Sequence, residues 1–131
     1  MFIMNQTDRY RLEALMELAA VYPEARSSSE LAARRGIPAA YLSRLLAELA
    51  RTGLVRSRRG PGGGVALARA PERIRISELV AARSWDRAMP PALERLTDLV
   101  ASSVERALAG LDLAELARWE RRSSPAADYS I

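Results

Sequence analysis

The feature that most constrains the fold is a glycine-rich segment, residues 59–64, between two short stretches of strand-forming residues. The pattern predicts a strand at 54–58, a tight tip and a returning strand at 65–68. A phosphate-binding loop would instead need a lysine followed by serine or threonine at the start of a helix. Because a strand follows these glycines, the segment is predicted to be the hairpin, or wing, of a winged helix-turn-helix domain.

Three helices are predicted before the wing. Apolar residues recur at steps of three and four in 8–22 and again in 38–52, which is the spacing of helices with one buried face. Between them, Ser27 and Glu30 have the spacing of a capping box for a helix at 28–35, and a glycine follows that helix. Two short helices joined by a glycine-containing turn match a helix-turn-helix, in which the second helix is the recognition helix.

Arginine is concentrated in the same part of the chain. Residues 26–75 contain eleven arginines and three acidic residues, whereas the rest of the chain contains nine arginines and thirteen acidic residues. A positive surface of this kind is expected where a protein contacts the phosphates of double-stranded DNA.

Composition argues against several other classes. The chain has no cysteine and no histidine, so disulfides, thiol and imidazole catalysis and the common metal ligands are excluded, and an enzyme is not expected. No apolar run approaches the roughly 20 residues of a membrane span, and the first residues lack the pattern of a signal peptide. We therefore expect a cytoplasmic protein without a membrane partner.

The wing sequence RGPGGGVALAR, residues 59–69, resembles that of the Rrf2 family of bacterial regulators, the family of IscR and NsrR. The sequences GIP at 36–38 and GLV at 53–55 are similar to the same family, and the resemblance extends over roughly residues 9–85. It implies a recognition helix in the major groove, a wing arginine in the minor groove and a long C-terminal helix that pairs two subunits on a palindromic operator.

The resemblance also implies which residues contact DNA. On the recognition helix, Arg44 suits a guanine edge, whereas Tyr41 is as well explained by burial against the second helix with its hydroxyl on a phosphate. Arg59 is the best single candidate, because neighbouring glycines leave bare backbone where the wing approaches DNA. The candidate contacts are Ser28, Ser29, Ala39, Ala40, Tyr41, Ser43, Arg44, Arg51, Arg58, Arg59, Gly60, Gly62 and Gly63, with Arg34 and Arg56 as further phosphate contacts.

The chain departs from the family in one respect. The best-known members hold an iron-sulfur cluster with three cysteines before the long helix, and here that stretch, 84–91, is short and has no cysteine. We expect no cofactor, and the effector is left open between a small apolar molecule, a protein and none.

The C-terminal part is predicted to form a homodimer. Two prolines begin a helix whose apolar stripe would pair with the same helix of a second subunit, the alternative being that it folds back on its own domain. The stripe consists of Leu93, Leu96, Val100, Val104 and Leu108. Trp85, Met89 and Trp119 are either a candidate ligand pocket or apolar residues of the core or interface.

The predicted fold is therefore mainly α, a winged helix-turn-helix with a small two-stranded β wing and a long C-terminal dimerisation helix. We expect a DNA-binding domain at 1–83, dimerisation helices at 84–122 and a flexible tail at 123–131. The predicted function is sequence-specific DNA binding by a transcriptional repressor. Because Ala39 and Ala40 are weak base readers, a non-specific architectural DNA binder or a protein-interaction adaptor is the alternative.

Overall fold

The computed structural model describes residues 4–61, 63–80 and 88–123. These residues contain six α-helices and one two-stranded antiparallel sheet, which confirms the predicted fold class. A single 3-10 turn, Pro71–Arg73, precedes the fourth helix. The elements are α1 Gln6–Val21, α2 Ser28–Arg35, α3 Ala39–Arg51, β1 Val55–Arg58, β2 Gly64–Leu67, α4 Ile76–Leu79, α5 Pro91–Leu108 and α6 Leu113–Ser123.

The first two helices begin where a side chain can cap them. The side chain of Asn5 accepts a hydrogen bond from the backbone N–H of Asp8 at 2.7 Å, and that of Ser27 accepts one from Glu30 at 3.1 Å. Gly36 follows α2 with a φ of 63°, a left-handed conformation that favours glycine. Helix α2 thus has the predicted bounds, whereas α1 begins earlier than predicted because Asn5 provides its cap.

The wing is attached to the helix-turn-helix by backbone hydrogen bonds. Strands β1 and β2 pair antiparallel, with Val55 opposite Leu67. On the other edge of β2, Val65 and Arg26 each donate a backbone N–H to the other's carbonyl oxygen, at 2.8 and 2.9 Å. Because Arg26 lies in the loop before α2, these bonds hold the hairpin against the helix pair.

Helix α6 packs on α1 and belongs to the core of the N-terminal domain. Leu113 is fully buried in the same apolar cluster as Leu15 and Leu18 of α1. The predicted division assigned the whole segment 84–122 to dimerisation. The last helix of that segment covers α1, because its buried apolar side chains complete the core, and the division into domains stays a prediction.

Helix α5 is different, because none of its residues is buried. Leu93, Leu96, Leu99 and Val100 are between 48% and 60% exposed, so the described part of the subunit leaves the first half of this helix face uncovered. Only at its end does Leu108 pack partly against the core. Neither α5 nor any other helix of the described segments is long and apolar enough to cross a membrane.

Candidate nucleic-acid interface

Helix α3 buries one face and exposes the other. Leu42, Leu45, Leu46 and Leu49 are buried, because they recur at the helical steps of three and four. The predicted contacts Ala39, Ala40, Ser43, Arg44 and Arg51 are all exposed on the remaining surface. Ala47 is also exposed there and was not predicted as a DNA contact. The spacing could have indicated it, because Ala47 is seven residues, or about two helical turns, after Ala40 and lies on the same face.

Tyr41 lies at the edge of this face and is half-buried. Its hydroxyl forms a hydrogen bond with the hydroxyl of Thr7, and its ring meets that of Tyr10 edge-on, with centroids 5.6 Å apart and planes at 74°. Both partners are in α1, a contact that the sequence did not predict beside the expected burial against the second helix. The phenol hydroxyl is therefore used within the chain.

Arg44 lies beside Tyr41, one helical turn further along. Its guanidinium carbon is 5.4 Å from the centroid of the Tyr41 ring, which is the geometry of a cation–π contact. Within the described parts of the chain, Arg44 has no ion pair and donates no hydrogen bond. Its N–H groups are therefore available to a ligand.

The two arginines of the wing differ in their surroundings. Arg58 donates a hydrogen bond to the carbonyl oxygen of Pro23 at 3.0 Å, so part of its guanidinium connects the wing to the loop after α1. Arg59 is exposed, and no residue described here forms an ion pair or hydrogen bond with its side chain. Beside it, Gly60 has a φ of 90° and open space around the position of a Cβ. The tip thus presents an unpaired guanidinium next to bare backbone.

Two other wing glycines are required by the fold itself. A Cβ at Gly63 would lie 2.5 Å from the carbonyl oxygen of Arg58, and one at Gly64 would lie 2.2 Å from that of Arg26. Proximity to DNA therefore does not explain these glycines, because a side chain would clash within the wing tip at Gly63 and with the loop before α2 at Gly64. Gly62 lies outside the described residues.

Three arginines that were counted toward the positive surface surround a buried glutamate. Glu17, which is 8% exposed, accepts hydrogen bonds from Nε of Arg34 and Nε of Arg35, both at 2.9 Å, and lies 4.0 Å from Nε of Arg26. Arg35 also donates to both carboxylate oxygens of Glu120, and this hydrogen bond raises the pKa of Arg35. Arg34 is therefore engaged within the chain, although a phosphate contact was predicted for it.

The other predicted phosphate contacts are distributed around the helix pair and the wing. Ser28 is half-buried and Ser29 exposed in the first turn of α2, and Arg51 is exposed at the end of α3. Arg56 donates a hydrogen bond to the carbonyl oxygen of Ala68 at 3.2 Å and stays exposed. Ser29, Arg51 and Arg56 are therefore accessible, as a phosphate contact requires.

The predicted ligand pocket is only partly covered by the structure. Trp85 lies outside the described residues, Met89 is half-buried, and Trp119 is 46% exposed with its indole N–H donating to Glu115 at 2.9 Å. The pocket stays a prediction. A separate groove of about 480 Å³ lies between α1, the end of α3 and α4, where Arg11 and Thr52 contribute to its wall.

An exposed helix face beside a hairpin with an arginine at its tip defines a winged helix-turn-helix protein. Residues 4–118 match the Rrf2 family model, described as iron-dependent transcriptional regulator. The chain belongs to the Rrf2 family, which confirms the predicted resemblance, and the family consists of transcriptional regulators and not of enzymes.

Relatives and solved structures agree with this assignment. IscR of Cereibacter sphaeroides is 44% identical over 82 residues, which is 60% of this chain and 53% of that protein. An rrf2-like protein of Rhodobacter capsulatus is 38% identical over 97 residues, 71% of this chain and 65% of that one. The structure of T. potens IscR matches with a TM-score of 0.76 at 26% identity, covering 93% of this chain and 91% of that one. CymR of B. subtilis, a global cysteine regulator, gives 0.72 at 25% identity, covering 91% and 98%. The chain therefore spans between half and two thirds of the length of the two sequence relatives.

The donor atoms of this chain do not fit the iron in the family's description. The sequence has neither cysteine nor histidine, so a cluster held by thiolates has no ligands here. Among residues 4–61, 63–80 and 88–123, the carboxylates form no group of three or more that could hold a metal ion.

Proposed function

We propose that this protein is a cytoplasmic repressor that binds a palindromic operator as a homodimer and responds to a signal other than an iron-sulfur cluster. The observation that carries the proposal is Arg59, an exposed guanidinium that is unpaired among the described residues and lies at the tip of a wing that Arg26 holds against the helix-turn-helix. The names of the relatives, an HTH-type transcriptional regulator and a global cysteine regulator, support regulation of transcription.

The contacts divide into two kinds by chemistry. Arg59 enters the minor groove, where a narrow groove concentrates negative potential. Arg44 donates to a guanine edge in the major groove, Ser43 donates to or accepts from a neighbouring base, and Ala40 meets a thymine methyl. Arg51 binds phosphate and fixes the register of the helix without selecting a sequence.

The exposed stripe of α5 supports the homodimer. Leu93, Leu96, Leu99 and Val100 are each about half exposed in the single subunit, and an isologous pairing of two α5 helices would remove them from water. Full burial of such a side chain contributes roughly 1.5–3 kcal/mol, so burying the exposed half of several on each subunit favours association. A two-fold axis through this interface requires an operator with two-fold symmetry.

The test measures binding of the purified protein to its own upstream promoter region and to a random duplex of equal length. Binding is measured by fluorescence anisotropy at several salt concentrations. We expect selective binding, and a loss of about tenfold or more in affinity for Arg59→Ala, as for removal of a good groove contact. Arg121→Ala is the matched control, because Arg121 is an exposed arginine of α6 and its loss changes the net charge equally. Equal and weak binding of wild type to both duplexes would overturn sequence-specific recognition of this region and favour an architectural DNA binder.

A further inference from the structure

We infer that Tyr41 is a positioning residue for base recognition, which holds the guanidinium of Arg44 in one direction and is itself held by α1. This inference rests on the proposed function, because it concerns how α3 selects a sequence. Helix α1 then contributes to sequence specificity, because its residues Thr7 and Tyr10 hold Tyr41 although neither lies on the exposed face of α3.

The Tyr41 ring is restrained at two places. The hydroxyl is bonded to the Thr7 side chain, and the ring is in edge-on contact with Tyr10, whose own hydroxyl accepts a hydrogen bond from the Gln6 amide at 2.8 Å. A phenol ring has only two side-chain torsions, so a bond at its far end and a contact at its edge leave it one orientation. The ring is therefore a fixed surface supplied by packing between α1 and α3.

Arg44 rests on this surface. Residues three apart on a helix are neighbours, and the guanidinium carbon of Arg44 lies 5.4 Å from the ring centroid. A guanidinium has five N–H donors, and among the described residues those of Arg44 form no hydrogen bond or ion pair, so they are free to bind a base. The contact with Tyr41 therefore orients the donors without using them.

The acidic residue that could compete for Arg44 is engaged elsewhere. Glu48 is four residues after Arg44, the usual spacing of a helical ion pair, yet its carboxylate lies 3.9 Å from the Arg11 guanidinium. Arg11 is in α1 and also pairs with Asp8 at 3.2 Å. Helix α1 thus fixes the aromatic ring beside Arg44 and also places Arg11 within 3.9 Å of the nearby glutamate.

The experiment measures base discrimination as the ratio of affinities for the operator and for operators with single base-pair changes. Arg44→Ala identifies the base pair whose preference depends on Arg44. At that pair, we expect Tyr41→Leu to lose about tenfold of discrimination while the salt dependence of binding is unchanged, since no phosphate contact is removed. Tyr41→Phe keeps the ring and is expected to lose less. Thr7→Val, which removes only the hydrogen bond, is expected to lose a similar small amount.

Tyr22→Leu is the control for loss of a tyrosine, because Tyr22 is exposed at the end of α1. Thermal unfolding identifies any variant that fails to fold, and Tyr41→Phe and Thr7→Val keep the inference testable if Tyr41→Leu does. A folded Tyr41→Leu protein with wild-type discrimination would overturn the inference, and so would a reduced salt dependence, which would mean that the Arg44 guanidinium held by Tyr41 neutralises a phosphate and does not read a base. If Arg44→Ala changes no base preference, the inference fails, whereas the proposed function stands as long as the operator is still preferred to random duplex.

Discussion

Replacing one leucine by alanine in α6 and one in α5 distinguishes a helix of the subunit core from the helix that is proposed to form the dimer interface. Leu113 in α6 is fully buried, and replacing it by alanine removes apolar contacts and leaves a cavity, at a cost of about 3 kcal/mol in the free energy of unfolding. In a chain of 131 residues, this corresponds to a decrease of about 10 °C in Tm. Leu96 in α5 is 56% exposed, so the same change there removes little from the core of the subunit.

The assay combines thermal unfolding by circular dichroism, at matched protein concentrations, with sedimentation analysis of the dimer. Leu113→Ala is expected to lower Tm and to leave the Kd of the dimer nearly unchanged. Leu96→Ala is expected to raise that Kd by about tenfold or more, because the contact is lost twice across the two-fold axis. A Leu113→Ala protein with the Tm of wild type would refute the position of α6 in the core. A Leu96→Ala protein that dimerises as tightly as wild type would refute α5 as the interface.

Two further predictions concern the glycines of the wing and the carboxylate of Glu78. Gly64→Ala is expected to lower the free energy of unfolding by about 3 kcal/mol or more, because the new Cβ would lie 2.2 Å from the carbonyl oxygen of Arg26. At Gly60 a new Cβ would meet only open space, so Gly60→Ala is expected to lower the free energy of unfolding by only about 1–2 kcal/mol, the cost of a positive φ. Equal losses for the two variants in urea unfolding would contradict this prediction. A hydrogen bond from the Arg69 side chain, and to a smaller extent one from the backbone N–H of Arg75, lowers the pKa of Glu78. The ionised carboxylate therefore stabilises the fold above pH 4.5, and this contribution is lost as the pH falls. Glu78→Gln should therefore flatten the acid side of the stability profile, and an unchanged slope in urea unfolding between about pH 6 and pH 3 would show that this carboxylate contributes nothing.

Elements with local signals could be predicted from the sequence. Helix α2 has the predicted bounds because the residues that begin and end it, the cap Ser27 and Gly36, are its immediate neighbours in the sequence. The wing was predicted for the same reason, since its glycines and flanking strand residues are adjacent. Leu99 was missed although it is three residues after Leu96 and equally exposed on α5, so the pattern contained the information.

Features that depend on tertiary partners could not be predicted. An apolar stripe indicates that a helix face is buried and does not say against what. Helices α5 and α6 therefore looked alike, although α6 buries Leu113, Ala114 and Ala117 and α5 buries no residue. Glu17 is a charged residue in the buried part of α1, and its arginine partners are 17 and 18 residues away. Tyr41 meets Thr7 across 34 residues, a pairing with no local pattern.

The attachment of α5 explains how dimerisation would set the spacing of the operator half-sites. Between α5 and α6, Leu111 accepts a hydrogen bond from the N–H of Ile76 at 3.0 Å, and Leu113 donates to the carbonyl oxygen of Ile74 at 2.8 Å. The C-terminal end of α5 is thus bonded to the segment that follows the wing, and no flexible linker intervenes there. Because α3 and the wing belong to the same core as α6, the pairing of two α5 helices would also fix the separation of two α3 helices. A signal that changed DNA affinity would therefore have to tilt α5 against its own domain or separate the two subunits.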